Sequence, residues 1–133
     1  AALPPAPAVP CHNDLLAANF IDDGARIRIL DWEYAAMGDP FFDLGNLAAN
    51  GEFRPADEHR LLDLYAGDVS DAALLRLGLM RLVSDLREAM WGLVQVGISG
   101  LAFDFMGYAA RHFARFAERA SAPQLAEWLT GGG

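Results

Sequence analysis

Two polar clusters separated by one short hairpin constrain this fold more than any other feature of the chain. The first is His12-Asn13-Asp14 followed by Asn19, which reads H-x-D-x-x-x-x-N. The second is Asp31-Trp32-Glu33-Tyr34, entered through the apolar pair Ile29-Leu30. Between them, Phe20-Ile21, the turn Asp22-Asp23-Gly24 and the run Arg26-Ile27-Arg28-Ile29-Leu30 predict two short antiparallel strands. Arg26 and Arg28 alternate with Ile27 and Ile29, so the second strand has one wet and one buried face. Such a hairpin brings Asn19 and Asp31 together in space. A carboxylate beside an acceptor hydroxyl, with an amide and a second carboxylate to hold Mg²⁺ against nucleotide phosphates, is the set phosphoryl transfer requires. In that chemistry Asp14 is the base, and Asn19 and Asp31 are the metal ligands.

The groups that would hold the nucleotide from the other side are not in this sequence. All ten basic residues are arginine, so no lysine is present to grip the α- and β-phosphates. No glycine-rich phosphate loop of either common spacing occurs. Only eleven residues precede His12, and Pro4, Pro5, Pro7 and Pro10 stiffen them into an extended connector. The expected organisation is therefore a Pro-rich interlobe linker over 1–10 and a C-terminal catalytic and substrate lobe over 11–130. A separate N-terminal lobe is the expected partner.

Beyond the hairpin the chain is helical. Gly38-Asp39-Pro40 predicts a helix from about Phe41 to Ala49, and Pro55 another to about Tyr65, stopped by Gly67. Ser70 or Asp71 caps a long stretch with leucines at 74, 75, 77, 79, 82 and 86, apolar nearly all round and so central to a lobe. Further helices are expected from about Phe103 to Ala120 and from Pro123 to Leu129. The fold class is mainly α with a small β-hairpin.

A chain of 133 residues with 53% hydrophobic content suits one domain with a sizeable core. Its net charge of −8 disfavours nucleic acid and anionic membrane and favours a cationic small molecule. The longest uncharged run, 89–103, is too short for a membrane span, and no signal peptide is evident, so cytoplasmic residence is expected. The lone Cys11 cannot form an internal disulfide and is expected to be a small buried residue.

Together with Phe42-Asp43-Leu44-Gly45-Asn46, the two clusters resemble the choline/ethanolamine kinase family, within the aminoglycoside-phosphotransferase-like group of protein-kinase-like folds. Trp91-Gly92-Leu93, Val94-Gln95 and Phe105-Met106-Gly107-Tyr108-Ala109 extend the resemblance to the substrate-binding helices. A second tryptophan common after W-G-L is absent here, near Val94. Choline, ethanolamine or another amino alcohol thus all stay open as acceptor.

The resemblance implies ATP as phosphate donor, Asp14 as base, and Asn19 and Asp31 as Mg²⁺ ligands. Glu33 joins them if the chain stays extended past Asp31. His12 and Asp43 are implied to support the catalytic loop, and Tyr34, Trp91 and Tyr108 to line a cage for the substrate cation. A quaternary ammonium donates no hydrogen bond, so ring faces must recognise it. Two alternatives stand beside this one. An aminoglycoside-type kinase would use an acidic pocket, for which Asp85, Glu88 and Asp104 are the candidates. A non-catalytic binding module would use the fold without the chemistry.

Overall fold

The computed structural model describes residues 5–123, 125 and 126. It is mainly helical with two small antiparallel strand pairs. Strands β1 (Val9–Cys11), β2 (Phe20–Asp22), β3 (Ile27–Ile29) and β4 (Ala36–Gly38) precede four helices. These are α1 (Pro40–Asn50), α2 (Pro55–Ala66), α3 (Asp71–Ile98) and α4 (Phe105–Ala120). The residues up to Arg81 form one compact unit, and those from Leu82 onward form another.

The predicted hairpin is β2 and β3, in register Phe20 to Ile29 and Asp22 to Ile27. Its turn is built by aspartates: Asp22 Oδ1 accepts from Gly24 N–H, and Asp23 Oδ1 from Ala25 and Arg26 N–H. Gly24 has φ +81°, which a side chain would resist. The other strand pair has no local sequence signal. Val9-Pro10-Cys11, expected as part of an extended connector, pairs with Ala36–Gly38. A two-stranded pair has free edges, which is where a proline without an N–H is tolerated.

Helix starts follow capping chemistry. Asp39 accepts from Phe41 N–H at 2.9 Å with Pro40 in the first turn, and the same carboxylate takes Arg76 Nη2 at 2.7 Å. α2 opens at Pro55 and stops at Gly67, which has φ +62°. Ser70 Oγ accepts from Ala73 N–H at the start of α3. α4 begins at Phe105, two residues later than expected, because Asp104 is consumed as its cap, accepting from Gly107 N–H at 2.8 Å. The last expected helix, Pro123 to Leu129, lies for the most part outside the described residues, as do Trp128 and the closing glycines.

The core of the first unit is Leu44, Leu62, Ala73 and Leu77, drawn from α1, α2 and α3. Each fully buried leucine contributes about 2 kcal/mol by the area rule. Gly45 permits a close backbone approach between α1 and α3: a Cβ there would lie 2.6 Å from the Met80 carbonyl carbon. Arg81 is buried and neutralised by Glu58, and it donates to Phe53 O at 3.0 Å. No described helix is long and apolar enough to cross a membrane.

Candidate active site

The first cluster is a loop held from beneath by α1. Asp43 accepts the His12 N–H on Oδ2 and the Asn13 N–H on Oδ1, both at 2.7 Å. One turn on, the buried Asn46 accepts the Leu15 N–H at 2.5 Å. An ionised acceptor makes such bonds roughly twice as strong as neutral ones. The loop backbone is thus pinned at three amides, and Asn13 is held at φ 64°.

His12 joins this loop to the hairpin. Its Nδ1 accepts the Asp14 N–H at 3.2 Å, which requires the proton on Nε2, and Nε2–H donates to Leu30 O at 2.7 Å. The ring is 2% exposed and meets Trp32 edge-on at 4.7 Å. Both ring nitrogens therefore serve the backbone. Asn13 Nδ2 donates to Tyr34 O at 2.9 Å, a second tie between the clusters.

Asn19 ends a single 3₁₀ turn, Ala17–Asn19, and leads directly into β2. Its Nδ2 donates to Asp14 O at 2.9 Å and to Asp14 Oδ2 at 3.3 Å. The amide nitrogen is thereby turned toward Asp14, which leaves Oδ1 out of those two bonds. The Leu30 N–H donates to Asn19 O at 2.8 Å, so Asp31 directly follows the residue tied to Asn19. Asp31 is exposed with φ 61°. Amide and carboxylate oxygens suit a hard divalent cation such as Mg²⁺. No group of three or more His, Cys, Asp or Glu among the described residues is placed to chelate a metal. A cation here would take few protein oxygens, from Asn19 and Asp31, with phosphate and water completing its shell, which is how Mg²⁺ is usually bound.

Glu33 does not share the extended geometry expected of it. β3 stops at Ile29, and an Ala35 N–H to Trp32 O bond at 3.0 Å closes a turn through Glu33 and Tyr34. Strand alternation therefore says nothing about which side Glu33 faces. Both residues are exposed. Cys11 is 1% exposed, and burial, reinforced by the Asp43 charge, pushes its thiol pKa up, so it stays protonated.

In the second unit, Trp91 on α3 meets Phe105 at 5.8 Å and Tyr108 at 5.9 Å, both edge-on. Phe103 adds contacts to Phe105 and Tyr108. Trp91 is 38% exposed, so it is not core filler. Tyr34 belongs to the first unit and these rings to the second. Two of the three carboxylates proposed for an acidic pocket are engaged otherwise. Asp104 caps α4, and Asp85 is fully buried, accepting from Arg115 Nε at 3.0 Å and bonded to His112 Nδ1 at 2.9 Å.

Burial alone would push the Asp85 carboxyl pKa up. The His112 hydrogen bond and the Arg115 charge outweigh it and hold the pKa below the ordinary range. A depressed native pKa stabilises the fold above the unfolded value of about 3.9 and loses that contribution as pH falls through the native value. Asp85→Asn should therefore flatten the acid limb of the stability curve below about pH 4. Asp85→Ala should cost about 3 kcal/mol, the effect of leaving buried cationic donors unpaired. Calorimetric melting from pH 2 to 7 checks both; an unchanged acid limb in Asp85→Asn would reject this account.

Sequence reasoning did not single out Asn46, although its spacing of three from Asp43 puts both on one helix face. His112 carries no local signal, because its carboxylate partner Asp85 lies on another helix, 27 residues away.

Residues 1–77, which hold the whole pinned loop and hairpin, match the phosphotransferase enzyme family. The chain belongs to that family. Human ethanolamine kinase 2 is 32% identical to this chain over 131 residues, covering 83% of this chain and 34% of that protein. A choline/ethanolamine kinase family protein from Mesorhizobium loti has the same fold, with TM-score 0.87 and 35% identity, over 96% of this chain and 44% of that one. Choline kinase LicA from Streptococcus pneumoniae matches with TM-score 0.67 and 26% identity, over 84% of this chain and 39% of that one. A LicA structure in complex with AMP matches with TM-score 0.66. The chain spans about a fifth to a third of the length of the curated relatives it matches.

Proposed function

We propose that this chain supplies the acceptor side of an ATP-dependent kinase site that phosphorylates the hydroxyl of ethanolamine, choline or a related amino alcohol. The observation that carries this reading is the Asn19 amide donating to Asp14 within a loop pinned by Asp43 and Asn46. That arrangement offers the Asp14 carboxylate to a hydroxyl and the Asn19 amide oxygen, which those bonds do not use, to a cation. The similarity to ethanolamine and choline kinases points to the same chemistry.

Asp14 hydrogen-bonds the acceptor hydroxyl and takes its proton as the oxygen attacks the γ-phosphorus. Asn19 Oδ1 and Asp31 would hold Mg²⁺, with Glu33 nearby; the bound ion supplies charge neutralisation for the phosphates. His12, Asp43 and Asn46 position the loop without touching substrate. Trp91 and Tyr108 offer ring faces to the ammonium group.

The chain has no lysine to hold the nucleotide phosphates, so the 133 residues alone should not turn over ATP. Joined to a lysine-bearing nucleotide-binding sheet, they should transfer phosphate to ethanolamine or choline and not to an aminoglycoside. Radiolabelled phosphate transfer across that acceptor panel is the test. Transfer to the aminoglycoside alone would overturn the amino-alcohol reading.

A further inference from the structure

Glu88 is 4% exposed, and it lies one helical turn before Trp91 on α3. Its Oε2 accepts the Tyr108 hydroxyl at 2.6 Å, a short charge-assisted bond, and the Arg87 guanidinium approaches Oε1 at 3.4 Å. A buried carboxylate is costly to desolvate, and a glutamine would accept the same bond without that cost. What only the charged form adds is polarisation of the phenol, which makes the ring face more negative.

The rest of the Tyr108 ring is equally constrained. A Cβ at Gly92 would lie 3.1 Å from Tyr108 Cδ1 and 3.1 Å from Ala109 Cβ, so α3 and α4 touch there and wedge the ring. The His112 ring lies 4.5 Å away, and its own Nδ1 is fixed by Asp85. Position is therefore constrained by Gly92 and His112, while the Glu88 carboxylate and the Arg111 guanidinium, 5.9 Å from the ring centroid, act on its electron density.

We infer that Glu88 is a positioning residue that acts through the Tyr108 hydroxyl to set the affinity of the aromatic group for an ammonium ligand. This rests on the reading of Trp91 and Tyr108 as the cation site. Binding of choline and ethanolamine to the 133-residue chain, measured by titration calorimetry, tests it with four variants. Trp91→Ala reports on the aromatic site itself. Glu88→Gln should weaken binding about tenfold, the scale of one charged hydrogen bond, while the melting temperature stays near wild type. In a Tyr108→Phe background the same Glu88→Gln change should have no further effect, because the hydroxyl it acts through is gone. Wild-type affinity in Glu88→Gln, with loss in Trp91→Ala, would overturn the inference and leave the aromatic site standing. An undiminished Glu88→Gln effect in the Tyr108→Phe background would also overturn it, by showing a route other than Tyr108. No change in Trp91→Ala either would reject the aromatic site, and the inference with it.

Discussion

Asp14→Asn should lower turnover by at least about 100-fold, the usual contribution of a positioned general base. The substitution keeps the size and shape of the side chain, and the Asn19 amide can still donate to the remaining oxygen. It removes only the ability to take up a proton. The backbone clamps from Asp43, Asn46 and His12 do not involve the Asp14 carboxylate, so the loop should keep its form. Melting temperature and ATP affinity should consequently stay near wild type while kcat falls. The measurement needs these residues joined to a nucleotide-binding sheet, with kcat and both KM values recorded. Turnover within a few-fold of wild type would exclude Asp14 as the base.

Trp91→Ala should raise the KM for the amino alcohol by roughly 30-fold and leave the KM for ATP nearly unchanged. A desolvated cation–π contact is worth about 2 kcal/mol, which converts to that ratio. Trp91 is 38% exposed and meets its neighbours edge-on, so its removal opens little core. Trp91→Phe keeps a ring face and should restore part of the affinity. An acidic pocket would behave otherwise, but Asp85 and Asp104 are already committed to His112, Arg115 and the α4 cap. An unaltered amino-alcohol KM in Trp91→Ala would remove the aromatic group from substrate recognition.

The sequence alone determined everything that depends on neighbours along the chain. Asp39-Pro40, Pro55 and Gly67 mark helix ends because a cap, a fixed φ and a left-handed residue act within one turn. The β2–β3 hairpin is legible because its turn residues and its Arg/Ile alternation lie within a dozen positions. The spacing of Asp14, Asn19 and Asp31 was legible for the same reason, since one short hairpin connects them.

Tertiary structure decided what depends on partners far away in sequence. The β1–β4 pair joins residues with no turn between them, across the whole first site. Nothing near His12 says that its Nε2 will find Leu30 O, or that Asn46 will take the Leu15 N–H. Asp85 reads as a candidate for an acidic pocket until α4 supplies His112 and Arg115 as its partners. Glu33 is a local exception: its reading holds only if the strand runs past Asp31, and the turn closed by Ala35 N–H and Trp32 O ends the extended backbone before it. Periodicity and capping are local forces that sequence order exposes directly. Burial and long-range hydrogen bonds depend on which surfaces meet, and only the folded chain settles that.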